Sequence, residues 1–206
     1  KCAYGEAMGL PANTIFSSQN LFHDDSMKGY EQDLDEAKKL AKSSGLEGKT
    51  IKLHYNTDRG FMEDTALMIQ QQLKEIDVNV ELEGIDANGF FDVVFTDQAD
   101  YELYLNEYGA SGDPDSVVAG MYDGTWGINV DTSEEILELF KQGRATNDME
   151  ERASIYSELQ KKAQEEYLVY PIAYPSYCFV TTSNLKGAEE YTTTPVFEDY
   201  TKLYFE

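Results

Sequence analysis

Ala66-Leu67-Met68-Ile69-Gln70-Gln71-Gln72-Leu73-Lys74-Glu75-Ile76 runs into Asp77-Val78-Asn79-Val80-Glu81-Leu82-Glu83, and the change of period between the two halves decides the fold. In the first half Ala66, Ile69, Leu73 and Ile76 recur at helical spacing with Gln70, Gln71, Lys74 and Glu75 between them. The chain from Glu63 to Ile76 therefore reads as an amphipathic helix with one buried face. In the second half Val78, Val80 and Leu82 alternate with Asn79 and Glu81, as in a strand with one wetter face. The same alternation stands upstream, where Lys52 and His54 separate Ile51, Leu53 and Tyr55. Strand, helix, strand with a crossover of this length implies a right-handed parallel unit. The fold class is α/β, a mixed but mostly parallel sheet with helices on both faces.

Working outward, Tyr101 to Glu107 reads as another apolar strand, followed by the turn Gly109-Ala110-Ser111-Gly112-Asp113-Pro114. Three more helices complete a set of four. Asp33-Leu34-Asp35-Glu36 offers an acidic capping box, Ala37, Leu40 and Ala41 share a face, and Gly45 stops the helix. Thr132 with Glu135 reads as a second capping box ahead of Ile136, Leu137 and Phe140, with Gly143 as the stop. Asn147 or Asp148 caps a long charged helix to about Glu166, in which Ile155, Tyr156, Leu159 and Ala163 face a core. Phe91 to Phe95 reads equally as a strand or as the end of a short helix. Val169 to Thr182 reads as a strand interrupted by Pro171 and Pro175.

Composition excludes more partners than it identifies. With 206 residues and 41% hydrophobic content the chain builds one sizeable core, so residues 1–206 are read as a single domain or one lobe of a larger protein. A net charge of -23 repels nucleic acid and anionic headgroups. The acids are spread along the chain, which suits solubility better than one cationic ligand site. No apolar run is long enough to span a bilayer. Lys1 is not a natural start, so any signal peptide or lipobox is expected outside this segment. Cys2 and Cys178 are too few for a disulfide framework, and one bridge or two thiols both remain open.

In an open α/β sheet, ligands collect beyond the carboxyl ends of the strands. Here that edge is formed by Asn56 to Phe61, Gly84 to Phe90 and Tyr108 to Asp115, which carry Arg59, Asp86, Asn88, Tyr108, Ser111 and Asp113. The Tyr122 to Asn129 loop adds Trp126, and the mixture of aromatic walls and hydrogen-bonding groups suits a polar organic ligand. Replacing Trp126 with Ala is expected to weaken solute binding and leave the fold intact. Ordinary turn chemistry is the competing reading of Gly112-Asp113-Pro114.

Tyr30 to Gly45, Ala66 to Ile76, Gly112-Asp113-Pro114-Asp115, Glu151-Arg152-Ala153-Ser154-Ile155-Tyr156 and Tyr170-Pro171-Ile172, taken in order, resemble the family 5 extracellular solute-binding proteins. These are the oligopeptide, dipeptide and nickel receptors of ABC importers. The resemblance implies a periplasmic-binding-protein-like lobe, the second large lobe of a two-lobe receptor, with residues 186–206 heading back towards the first lobe. It implies capture of a small solute by hinge closure, with no bond chemistry and no cofactor, and delivery to ABC permease subunits in the membrane. It also implies an extracytoplasmic location, periplasmic or as a lipoprotein on the cell surface. In peptide-binding members a Trp-rich turn before the Asp-Pro pair carries an Asp that holds the peptide's amino group. Here Glu107 or Tyr108 stands in the place of the Trp, and Ala110 or Ser111, next to Gly109, in the place of that Asp. A peptide is the expected ligand, and an oligosaccharide stacking on Trp126, Tyr108 or Tyr174 is the alternative.

Other chemistries have weaker support. Gly109-Ala110-Ser111-Gly112-Asp113 nearly spells the nucleophile elbow of a hydrolase, but its last glycine is Asp113 and Pro114 breaks the turn. Only His23 and His54 are available as a base, and His54 reads as structural. His23-Asp24-Asp25 has the donors for a metal ion, though an exposed acidic loop accounts for it more simply. No Walker loop or GxGxxG is present, so nucleotide binding is not expected. An interaction or sensory module of the same fold, without a ligand, is the remaining class.

Overall fold

In a computed structural model of the chain, residues 9–95, 102–109, 112–116, 118–125, 131–176, 180–190 and 200–206 are described. The expected crossover is present. Strand β2 (Thr50–Asn56) leads into helix α2 (Gly60–Lys74) and strand β3 (Asn79–Ile85), and β2 pairs with β3 in parallel from Thr50↔Asn79 to Asn56↔Ile85. A third strand, β4 (Leu103–Leu105), pairs in parallel with the other side of β2, giving the order β3-β2-β4. Two short antiparallel pairs lie outside this sheet. Strand β1 (Gly9–Pro11) pairs with β5 (Ala173–Pro175), and β6 (Leu185–Lys186) with β7 (Tyr204–Phe205). The strand pairing is thus mixed, parallel in the three-stranded sheet and antiparallel in the two short pairs.

Side-chain alternation along β2 divides the core in two. Leu53 and Tyr55 join Met62 and Ala66 of α2 and Val80 of β3 in one cluster, with Ile69 and Leu73 packed against it. On the opposite face stands Tyr104, His54's partner in register, whose ring meets Phe90 of helix α3 (Ala87–Val94) edge-on at 6.4 Å. Helices therefore cover both faces. His54 is only 3% exposed, so the expected wetter face of β2 closes at its carboxyl half. The reason is topological: β2 is the central strand, and its far face also lies under a helix.

The second cluster is helical. Helix α4 (Val118–Tyr122), α5 (Glu134–Ala145) and α6 (Met149–Glu166) bury Tyr122, Ile136, Phe140, Tyr156, Leu159 and Ala163 together with Phe16 and Phe22. Asp148 caps α6 by accepting from the amides of Glu150 and Glu151. Helix α1 (Leu34–Ser44) is capped by Asp33, which accepts from the Glu36 amide, and stopped by Gly45 at φ 78.

Several expectations are corrected. The α5 cap is Ser133, which accepts from the Ile136 amide, and not Thr132; Ser133 is also tied to Glu166. Gly143 lies inside α5 and does not end it, and the Tyr156 ring passes where its side chain would stand. Leu40 is 59% exposed, leaving Ala41 as the buried residue of α1. Of the two readings of Phe91 to Phe95 the helix end is the one found, with Phe91 to Val94 closing α3, and among the described residues of Val169 to Thr182 the strand is confined to Ala173–Pro175. The described residues hold six α-helices where four are expected from sequence; α3 and α4 are too short for a clear helical period. Cys2 and Cys178 lie outside the described residues.

Candidate solute-facing edge

The three loops beyond the carboxyl ends of the parallel strands are fastened to one another. After β2 the chain turns at Asn56, whose side-chain oxygen accepts from the Asp58 amide at 2.9 Å. Asp58 Oδ2 then accepts from the Ala87 amide at 3.1 Å, and the Thr57 amide donates to the Ile85 carbonyl at 2.9 Å. These bonds join the β2 and β3 loops. Arg59 Nε approaches Glu107 Oε2 at 3.9 Å, which joins the β2 loop to the end of β4. Asp86 caps α3 by accepting from the Gly89 amide at 2.9 Å, which fixes the start of the helix beside this edge. Gly84 is required here for space, because a Cβ would stand 2.8 Å from the Tyr55 ring that lies across it.

Of the residues expected to meet a ligand, Arg59, Asp86 and Asn88 share this edge and are exposed. Tyr108 and Gly109 follow Glu107 directly. Tyr108 is half-buried against the helical core, its hydroxyl lies 3.3 Å from that of Tyr104, and burial pushes its pKa up, keeping the phenol neutral. Ala110, Ser111 and Trp126 lie outside the described residues.

Asp113 and Tyr174 are engaged elsewhere. Arg152 of α6 donates to Asp113 Oδ2 at 2.9 Å and to the Gly143 carbonyl, and its guanidinium covers the rings of Phe22 and Tyr156. Arg144 of α5 holds the neighbouring Asp115 at 2.6 Å. The two arginines thus pin the 112–116 turn to the helix pair. Tyr174 sits in β5, where its hydroxyl bonds Asn13 and both backbone groups of Thr14.

His23 is turned inward and not exposed as expected: Nδ1 lies 2.8 Å from the Phe16 carbonyl and the ring packs edge-on to Tyr174. Among the described residues no group of three or more His, Cys, Asp or Glu is placed to hold a metal ion. His54 Nε2 lies 2.9 Å from Glu83 Oε2 in the sheet.

Glu107, Asp58 and Arg152 are the edge and turn residues that sequence reading left without a role. Asp58, two residues past a strand, carried a turn signal; the partner of Arg152 is remote in sequence and carried none. No helix among the described residues is long and apolar enough to cross a membrane.

The chain and its fold match known proteins. The model for bacterial extracellular solute-binding proteins, family 5 Middle, matches residues 3–129. Di/tripeptide-binding protein 2 of Pseudomonas aeruginosa (strain UCBPP-PA14) is 25% identical over 202 residues, covering 91% of this chain and 36% of that protein. The oligopeptide-binding protein OppA of Bacillus subtilis (strain 168) is 29% identical over 182 residues, covering 83% and 32%. Among solved structures, the ABC transporter substrate-binding protein CtaP from Listeria monocytogenes superposes with a TM-score of 0.85 at 29% identity, covering 99% of this chain and 43% of that one. A putative peptide-binding protein, AppA from Clostridium difficile, gives 0.83 at 28% identity, covering 100% and 44%. The chain spans about a third of the length of the curated relatives it matches. With more than half of its residues inside the family match, and the same fold throughout, the chain belongs to the bacterial extracellular solute-binding proteins, family 5.

Proposed function

We propose that residues 1–206 form one ligand-binding lobe of an ABC-importer receptor, the second large lobe, with residues 186–206 returning towards the first. The lobe captures a small polar solute, a peptide foremost, by hinge closure and hands it to permease subunits without bond chemistry. The observation that carries this reading is the tied edge of β3-β2-β4, where Asp58 bonds Ala87 and Arg59 pairs with Glu107. It gathers three loops at the carboxyl ends of parallel strands, where such sheets take ligands. The names of relatives in Pseudomonas and Bacillus, a di/tripeptide-binding and an oligopeptide-binding protein, favour a peptide. Arg59, Asp86, Asn88, Tyr108 and Gly109 face the solute in this reading, and Asp113 acts by holding the turn in place. The working location is outside the cytoplasm, in a periplasm or anchored to the cell surface.

The test is thermal denaturation of the full-length protein with a pool of short peptides and, separately, a pool of oligosaccharides. A rise in Tm with peptides supports the reading, since a ligand that binds the folded state raises its stability. A rise with oligosaccharides alone moves the ligand class to sugars. No rise with either favours a sensory or interaction module of the same fold.

A further inference from the structure

We propose that Asn88 is a site of spontaneous deamidation, and that the Asp86 cap is what holds the reaction back. Asn88-Gly89 is the one Asn-Gly pair in the chain. This pairing is the most reactive for the purpose, because glycine has no side chain to shield its amide nitrogen from the preceding carboxamide and turns freely into the geometry of attack. The Gly89 nitrogen attacks Asn88 Cγ, the new C–N bond closes a succinimide ring, and Nδ2 leaves as ammonia with the proton that the Gly89 amide gives up. Water then opens the ring at either carbonyl. The product at position 88 is an aspartate or an isoaspartate, and each adds one negative charge to the edge that carries Asp58 and Asp86. The isoaspartate also adds a carbon to the backbone, which the start of α3 cannot accommodate.

The reactive pair is kept by packing. A Cβ on Gly89 would stand 2.7 Å from Ile85 Cγ2, so the close approach of α3 to the end of β3 favours glycine there. Protection comes from the helix. The Gly89 amide donates to Asp86 Oδ1 at 2.9 Å, and helical dihedrals at Asn88 hold that nitrogen away from the Asn88 carboxamide. Attack therefore needs the cap broken and the first turn unwound. The other bonds of that turn run from the Ala87 amide to Asp58 Oδ2 at 3.1 Å and from the Phe90 amide to the Asp86 carbonyl at 2.8 Å, while Asp58, Asp86 and Asn88 are all exposed. A helix end held by bonds in contact with water opens locally far more often than the whole protein unfolds. Deamidation runs through that opening. The inference stands whether or not the edge holds a solute.

The experiment incubates the full-length protein in mildly alkaline buffer, folded or in urea, and follows conversion at position 88 by peptide mass spectrometry and isoaspartate-specific enzymatic methylation. The folded wild type is expected to convert about tenfold or more slowly than the unfolded chain. Folded Asp86→Ala is expected to convert about fivefold faster than folded wild type, the opening penalty that an N-cap side chain supplies, and Asp86→Asn, which still caps, to stay within about twofold of it. All three should react alike in urea, which separates the fold from the chemistry. Hydrogen exchange of the Gly89 amide gives the opening constant without any variant, and the folded wild-type rate should equal that constant times the unfolded rate, so the test holds even where Asp86→Ala fails to fold. Equal wild-type rates in the two states, equal behaviour of Asp86→Ala and Asp86→Asn when folded, or a folded rate at odds with the exchange of Gly89 overturns the proposal.

Discussion

Arg152 Nη2 donates to Asp113 Oδ2 at 2.9 Å, so the turn after β4 is fastened to helix α6 across 39 positions of sequence. The pair is lopsided, with Arg152 14% exposed and Asp113 43%. Arg152 also bonds the Gly143 carbonyl and the Tyr156 hydroxyl and lies over two rings, whereas water solvates much of Asp113. Arg152→Met should therefore lower stability by about 2–3 kcal/mol, and Asp113→Asn by about 1 kcal/mol or less. Urea denaturation of both variants checks this, and equal losses would contradict the asymmetry.

Gly143→Ala opposes two effects in one substitution. Alanine favours a helix by about 1 kcal/mol over glycine. Its Cβ, however, would stand 2.5 Å from the Tyr156 ring, which is fully buried between Phe16, Phe22 and the Arg152 guanidinium and has nowhere to go. Overpacking of this kind costs about 1–3 kcal/mol, so the net effect should be destabilising. A higher Tm for Gly143→Ala would show that the α5–α6 contact yields easily.

The same glycine marks the limit of what sequence could tell. Local signals were legible: the acid at Asp33, the stop at Gly45, the cap at Asp148 and the helix-to-strand change after Ile76 each depend on neighbours a few residues away. Gly143 read as a stop because a glycine after an apolar run usually is one. Its actual role depends on Tyr156, which lies on another helix. His54 read as half-wet because alternation reports one strand and not what covers it; the ring of Tyr104 and helix α3 do that from afar. The candidate edge was legible for a general reason, the location of sites at strand ends. The bonds that tie it together, Asp58 to Ala87 and Arg59 to Glu107, join loops that sequence does not place side by side.

Acid should unfold the protein partly through Asp24. Hydroxyl donation from Ser157 of α6, then from Ser26, together with the Ser26 amide, holds its pKa down at about 2, against an ordinary 3.8. The folded value lies below the unfolded one, so its contribution is fully present above about pH 4 and is lost as pH falls from 3.8 towards 2. Solvent around this half-exposed loop trims the effect to about 1–2 kcal/mol. Asp24→Asn should be less stable than the wild type at pH 7 and should lose less on acidification. Parallel curves for the two proteins between pH 4 and pH 2.5 would remove Asp24 from the acid transition.

Ser133 and Thr132 are adjacent hydroxyls with opposite expected effects. Ser133 Oγ caps α5 through the Ile136 amide and donates to Glu166 at the end of α6, so it serves two helices. Ser133→Ala should cost about 1–2 kcal/mol, the range for an N-cap. Thr132 Oγ1 is buried with no hydrogen-bond partner among the described residues. Replacing that hydroxyl with a methyl of similar size removes an unmet polar group, so Thr132→Val should be neutral or stabilising by up to about 1 kcal/mol. Chemical denaturation of both variants settles which residue starts the helix. If Thr132→Val proves the more damaging, the capping box read from Thr132 and Glu135 is the true start of α5, and the Ser133–Glu166 contact contributes little.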